Sequence, residues 1–132
     1  MRKLDETTFV FVRQLAVEDI DQAAASGIRL IVNNRPDGEE PGQPSSARIE
    51  SAARAAGLDY RHIPVAGAFR PDQVEAMAHA LEQGPVLAFC RTGTRSAYLW
   101  ALARAARGAQ AEESIAAAAA AGYDLEPIRG WL

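Results

Sequence analysis

Short apolar runs alternate with longer amphipathic segments along this chain. The runs are rich in β-branched, aromatic and leucine residues and predict strands over 9–12, 28–32, 60–65 and 86–89. The other segments have apolar residues at helical spacing and predict helices over 17–26, 45–56, 71–83, 97–107 and 112–121. Because strands and helices alternate with short connections, the pattern predicts an α/β fold with a mainly parallel, four- to five-stranded sheet flanked by helices.

Two segments near the C-terminus contain more apolar residues than is usual for a solvent-exposed segment. The helix predicted over 97–107 is apolar around most of its circumference, so we expect it to be central. The tail over 123–132 is expected to pack four apolar side chains against the body of the protein: Leu125, Ile128, Trp131 and Leu132.

Composition and charge are typical of one globular domain and limit the partners to be expected. The 132 residues suit a single domain over 1–132, with 48% hydrophobic and 23% charged residues. The net charge of −3 favours neither nucleic acid nor an anionic membrane as a partner. Because no signal-peptide core or membrane-length apolar run is present, we expect a cytoplasmic location. The single cysteine excludes an internal disulfide, and we predict no metal or cofactor.

That cysteine opens the segment 90–96 (Cys-Arg-Thr-Gly-Thr-Arg-Ser), between a predicted strand and a predicted helix. At such a junction, loop N–H groups and the positive end of the helix dipole converge on one point and favour an anion. The same field lowers a cysteine pKa from about 8.5 to between about 3.5 and 7.5. We therefore predict that Cys90 is a nucleophile and that Arg95 clamps a tetrahedral oxyanion with its planar guanidinium.

The remaining loop residues are predicted to line the anion site. They are Arg91, Thr92, Gly93, Thr94 and Ser96. Arg91 and Thr92 would contribute mainly backbone N–H groups, and Gly93 lets the backbone turn. Ser96 would stabilise the Cys90 thiolate, or simply cap the helix. The alternative for the whole loop is a non-catalytic anion-binding domain in which the cysteine is only a small buried residue.

A long polar loop, 33–44, follows the second predicted strand and could form a second wall of the site. The alternative is a solvated linker. Arg35 in this loop is a candidate anion-binding residue, although a surface role suits an arginine equally well. His62 fits a hydrogen-bonding residue at a strand end better than a catalytic base.

Three segments, 32–44, 61–65 and 90–96, resemble the phosphatase-like domain of bacterial β-lactamase hydrolase-like proteins, over about 9–125. The resemblance implies a fold like that of tyrosine and dual-specificity phosphatases, with the active-site loop between a strand and a helix N-terminus. It also implies a link to sulfur metabolism, because some relatives carry a second, persulfide-dioxygenase-like domain. This chain is too short for that domain, so we expect any such partner to be a separate polypeptide.

The spacing within the loop separates two chemistries. Arg95 follows Cys90 after four residues, as in small rhodanese sulfurtransferases, whereas phosphatases have five. Spacing therefore favours sulfur transfer through a Cys90 persulfide, with a small anionic or persulfide substrate and a thiol acceptor. The alternative is a phosphatase with a Cys90 phosphocysteine intermediate.

A phosphatase of this kind needs an acid to protonate the leaving alkoxide. Asp37 is the best candidate because it lies near the tip of the loop 33–44, with Glu39 and Glu40 as alternates. Asp72 is a weaker candidate, since it follows Pro71 at a predicted helix start, where a carboxylate complements the helix dipole.

Overall fold

The computed structural model describes residues 1–132, in which one five-stranded sheet lies between two layers of helices. The strands are β1 (Arg2–Asp5), β2 (Thr8–Val10), β3 (Leu30–Asn33), β4 (Asp59–His62) and β5 (Val86–Phe89). The helices are α1 (Val17–Ala25), α2 (Ser46–Ala55), α3 (Pro71–Leu81), α4 (Thr94–Ala106) and α5 (Ala111–Ala120), followed by a 3₁₀ turn over Glu126–Trp131. None of these helices has both the length and the apolar character needed to cross a membrane.

The strand order is β1-β2-β5-β3-β4, and every neighbouring pair is parallel except the β1-β2 hairpin. This confirms the predicted mainly parallel α/β sheet. The sequence pattern missed β1, because only Leu4 of its four residues is buried and the strand begins with two cations, Arg2 and Lys3. An edge strand of that kind has no apolar run to reveal it.

The sheet separates two apolar layers. On one face it packs against α1 and α2, and on the other against α3, α4 and α5. Helix α4 is central, as predicted: Leu99 and Trp100 are fully buried, and the Trp100 indole N–H donates to Asp5 at 3.0 Å. The tail differs in part from its prediction. Leu125 and Ile128 are buried, but Trp131 is 67% exposed because it lies at the end of the 3₁₀ turn.

The register of the central strands positions the site. Asn33 at the end of β3 pairs with Phe89 at the end of β5, and the Asn34 N–H donates to the Phe89 carbonyl at 2.8 Å. The segments that follow β3 and β5 therefore begin side by side at the carboxyl edge of the sheet, where parallel α/β folds bind ligands.

Candidate active site

Cys90 directly follows β5 and lies at the bottom of the loop, with 1% of its surface exposed. The Gly93 N–H donates to its Sγ at 3.2 Å. Gly93 is the N-cap of α4 and has φ 96°, a left-handed conformation that strongly favours glycine. Helix α4 therefore begins at Thr94 rather than at the predicted 97, and this places Arg95 within its first turn.

The surroundings of Cys90 favour its ionised form. Burial alone raises the pKa of the thiol, but hydrogen bonds from the loop, chiefly from the backbone N–H groups of Ser96, Thr92 and Gly93, more than offset burial. The net pKa lies below its ordinary value. Hydrogen bonds to the charged form, at the positive end of a helix, are the arrangement that makes cysteine nucleophilic.

Arg95 stands at the mouth of the loop with its guanidinium bound to a carboxylate. Its Nη1 donates to Glu39 Oε2 at 2.7 Å, and its Nη2 donates to Glu39 Oε1 at 2.9 Å. A further bond from Nη1 to the Val65 carbonyl, at 2.8 Å, ties it to the segment after β4. The Arg95 guanidinium, which is predicted to clamp an oxyanion, is thus held in place by the Glu39 carboxylate, itself a planar anion.

Arg35 is almost fully buried beneath this ion pair rather than exposed to an incoming anion. Its guanidinium donates to Glu39 at 2.8 Å, to Gln14 at 2.9 Å and to Glu40 at 3.0 Å. All three of its nitrogens have a partner and only 1% of its surface is exposed, so this arrangement does not present Arg35 to an incoming anion. Arg35 instead holds the carboxylates of the loop after β3 beside Arg95.

The three acid candidates have different positions. Asp37 accepts a hydrogen bond from the Ser46 N–H at 2.7 Å and so holds the first turn of α2. Glu39, one of the alternates, is the carboxylate that reaches Arg95. The Arg95 hydrogen bonds, together with those from Arg35 and despite opposing burial, lower the pKa of Glu39 to about 2. Glu40 contacts Arg35 at 3.0 Å and Arg91 at 3.7 Å.

The other predicted residues lie around the loop. Arg91 has an exposed side chain, and the Thr92 and Thr94 hydroxyls are 3.2 Å apart at the surface. Ser96 is buried and donates to Asn34 Oδ1 at 2.8 Å. His62 Nε2 lies 2.8 Å from the Arg35 carbonyl, a contact that fits the hydrogen-bonding role expected of it.

Two residues of this arrangement had no predicted role. Asn34 is fully buried. Its side-chain N–H donates to the Ile63 carbonyl, and its Oδ1 accepts from the Ser96 hydroxyl. Its position directly after an apolar strand is the sequence feature that could have indicated this role. Tyr123, which follows α5, donates to the Thr92 carbonyl at 3.0 Å, and nothing in its own sequence context indicates this. No group of three or more His, Cys, Asp or Glu side chains is placed to hold a metal ion.

Comparison with known proteins identifies the family. Residues 1–107 match the family model described as "Beta-lactamase hydrolase-like protein, phosphatase-like domain". A Beta-lactamase hydrolase-like protein of Agrobacterium fabrum is 45% identical over 101 residues, which are 72% of this chain and 23% of that protein. The chain therefore spans about a quarter of the length of this curated relative.

Solved structures agree with this match. A candidate phosphatase from Neisseria meningitidis Z2491 superposes with a TM-score of 0.83 at 41% identity, covering 98% of this chain and 93% of that one. Tk-PTP in its active form has a TM-score of 0.74 over 98% of this chain and 90% of its own, and its 18% identity makes it a likeness of fold alone. The chain belongs to the family of phosphatase-like domains found in β-lactamase hydrolase-like proteins.

Proposed function

We propose that this domain is a hydrolase of phosphate esters that uses Cys90 as its nucleophile. The observation that carries the proposal is the Cys90 thiol, buried at a helix N-terminus with a lowered pKa and the Gly93 N–H directed at its Sγ. The fold and the family support phosphate chemistry, whereas no comparison supports the sulfur transfer that loop spacing favoured.

In the proposed reaction, the Cys90 thiolate attacks phosphorus and the bond between phosphorus and the leaving oxygen breaks. The leaving group departs with the electron pair, and a phosphocysteine remains. Water then attacks the phosphorus, the S–P bond breaks, and inorganic phosphate and the thiolate are released. The loop N–H groups and Arg95 stabilise the negative charge on the three non-bridging oxygens.

Arg95 keeps free donors for this reaction. Its Nη1 donates to Glu39 and to the Val65 carbonyl, and its Nη2 donates once to Glu39. Because a guanidinium carries five N–H groups, the Nε–H and the second N–H of Nη2 remain for a phosphoryl group, while Glu39 and Val65 hold Arg95 beside the loop.

Protonation of the leaving group limits the substrates. Glu39, the carboxylate bound to Arg95, has a pKa of about 2 and is ionised at neutral pH. Asp37 is bound to the start of α2. Glu40 is bound to Arg35 at 3.0 Å. With none of the three carboxylates placed as a proton donor, we expect esters whose leaving group is stable as an anion, such as aryl phosphates, to react best.

The same observation favours a second candidate, sulfur transfer, because sulfite and thiolates leave without a proton. Cys90 would attack the outer sulfur of thiosulfate, the S–S bond would break, and sulfite would depart with the electron pair. The resulting Cys90 persulfide would pass its outer sulfur to a thiol acceptor. In this candidate a persulfide-dioxygenase-like partner would supply or consume the persulfide.

One experiment separates the two reactions. The protein and its Cys90→Ser variant are each incubated with p-nitrophenyl phosphate and, separately, with thiosulfate. Release of p-nitrophenol that falls by at least about 10³-fold in the variant is expected for the phosphatase. Intact mass spectrometry is expected to detect a phosphoryl adduct on the wild type after rapid quenching. A sulfur adduct formed with thiosulfate, without phosphatase activity, would instead establish the second candidate.

A further inference from the structure

Tyr123 contacts the active-site loop from outside the motif. It follows α5, has 7% of its surface exposed, and directs its hydroxyl at the Thr92 carbonyl, 3.0 Å away. The guanidinium carbon of Arg2 lies 5.5 Å from the centre of the Tyr123 ring, and Arg2 also donates to the Ala121 carbonyl at 2.9 Å. The side chain is therefore held by the N-terminal strand on one side and by the loop on the other.

The bond to Thr92 acts on the same peptide unit that faces the nucleophile. The Thr92 carbonyl and the Gly93 N–H belong to one planar trans peptide, so they point in opposite directions. Tyr123 binds the oxygen of this unit at 3.0 Å, and Cys90 Sγ accepts its N–H at 3.2 Å. Any rotation of the peptide that broke one of these bonds would disturb the other.

Gly93 gives this peptide unusual freedom, because glycine adopts positive and negative φ with similar ease. Its surroundings leave no room for a side chain. A Cβ at Gly93 would lie 2.1 Å from the Tyr123 oxygen and 2.7 Å from Val10 Cγ1, so the turn is enclosed between Tyr123 and β2. Tyr123 therefore lies directly against the most flexible position of the loop.

We propose that Tyr123 is a positioning residue for the nucleophile: its hydroxyl holds the Thr92–Gly93 peptide so that the Gly93 N–H is directed at Cys90 Sγ. The inference rests on the proposed role of Cys90 as nucleophile, but on neither of the two reactions in particular.

The electrostatic surroundings agree with this role. Burial raises the pKa of the Tyr123 hydroxyl, and the charge of Cys90 raises it further against the opposing effect of Arg2. The hydroxyl is therefore protonated at neutral pH and able to donate. Arg95 is a charged group that interacts with the Cys90 thiolate, and the interaction raises the pKa of Arg95.

The test uses the fact that Cys90 is the only cysteine. The rate of its alkylation by iodoacetamide is measured against pH in the wild type, in Tyr123→Phe and in Tyr98→Phe. Tyr98 is a matched control, because it lies on α4 within one turn of Arg95 and its hydroxyl makes no hydrogen bond to the loop. We expect the midpoint of the profile to rise by about 1 pH unit in Tyr123→Phe and to remain unchanged in Tyr98→Phe.

A second readout reports on the peptide itself. Hydrogen exchange at the Gly93 amide is expected to become faster in Tyr123→Phe, because its N–H loses a fixed acceptor, and to stay at the wild-type rate in Tyr98→Phe. Thermal unfolding confirms that each variant is folded at the temperature used. A folded Tyr123→Phe protein with the wild-type midpoint and the wild-type Gly93 exchange rate would overturn the proposal. Since alkylation needs no substrate, failure of the proposed phosphatase activity would leave this result unaffected.

Discussion

The two oxygens of Glu39 accept hydrogen bonds from both terminal nitrogens of Arg95, at 2.7 and 2.9 Å, although 56 positions separate the residues in the chain. Glu39 Oε1 also accepts from the buried Arg35 at 2.8 Å. One carboxylate thus connects a buried arginine to the arginine at the mouth of the nucleophile loop. Several properties of the site follow from this connection.

The negative charge of Glu39 beside Arg95 is expected to weaken the binding of anions at the site. The Glu39→Gln variant keeps the shape of the side chain but removes its charge, so inorganic phosphate should bind more tightly, by a few-fold or about 1 kcal/mol. Isothermal titration calorimetry measures the change. Glu40→Gln is the matched control, because Glu40 contacts Arg35 and Arg91 but not Arg95. Weaker phosphate binding in Glu39→Gln would instead mean that the carboxylate orients Arg95 for the anion.

The same carboxylate should make folding stability depend on pH. Its pKa is lowered from 4.5 to about 2 in the folded protein, chiefly by Arg95. A carboxylate with a depressed folded pKa stabilises the protein above its unfolded pKa, and this contribution is lost as the pH falls from the unfolded pKa through the folded pKa, because the unfolded state binds the proton more readily. The stability difference between wild type and Glu39→Gln should therefore shrink as the pH falls from about 4.5 towards 2. Urea unfolding at a series of pH values tests this, and a difference that stays constant would contradict it.

Hydrolysis should depend steeply on the leaving group. A positioned general acid typically contributes about 10²–10⁴-fold to catalysis, and we expect that contribution to be missing here. In a series of aryl phosphates, kcat/KM should fall strongly as the pKa of the phenol rises, and alkyl phosphates should react slowest. The Glu39→Gln variant should show the same slope as the wild type. A shallow slope in the wild type would reveal a proton donor.

Asp37 should matter for stability and not for chemistry. Its carboxylate accepts the Ser46 N–H at the start of α2, so Asp37→Ala should lower the free energy of unfolding by about 0.5–2 kcal/mol. Asp37→Asn, which keeps an acceptor oxygen, should recover most of that loss. Neither variant should change kcat for p-nitrophenyl phosphate. A loss of kcat in Asp37→Asn without a loss of stability would restore the general-acid hypothesis.

The sequence was most informative where structure depends on neighbouring residues. Apolar runs and helical spacing located β3, β5 and α3, because burial imposes its period directly on the chain. The segment 90–96 identified the loop, since it combines a cysteine, a glycine and an arginine at a junction between a strand and a helix. The missed strand β1 is an edge strand without an apolar run. The early start of α4 at Thr94 is an error at the end of an element, where the pattern is weakest.

The sequence could not predict which partner each of the three acid candidates contacts. Asp37, Glu39 and Glu40 lie within four positions on one loop, and each was a plausible partner of the nucleophile. Their partners are Ser46, Arg95 and Arg35, and only the path of the loop over the sheet assigns each carboxylate to one of them. A pattern along the chain contains no information on which of three adjacent carboxylates turns towards a helix start or a distant arginine.

By itself, the sequence determined the alternation of strands and helices, the position of the nucleophile loop at the end of β5, and the pairing of Cys90 with Arg95 in one motif. These depend on interactions between residues close in the chain. Tertiary structure alone decided that Glu39 pairs with Arg95 and that the buried Arg35 also binds Glu39. It alone decided that Tyr123 binds the Thr92 carbonyl from 31 positions away. Those contacts join segments that meet only because β3 and β5 are neighbours in the sheet and α5 packs beside β1, and such meetings are a property of the assembled fold.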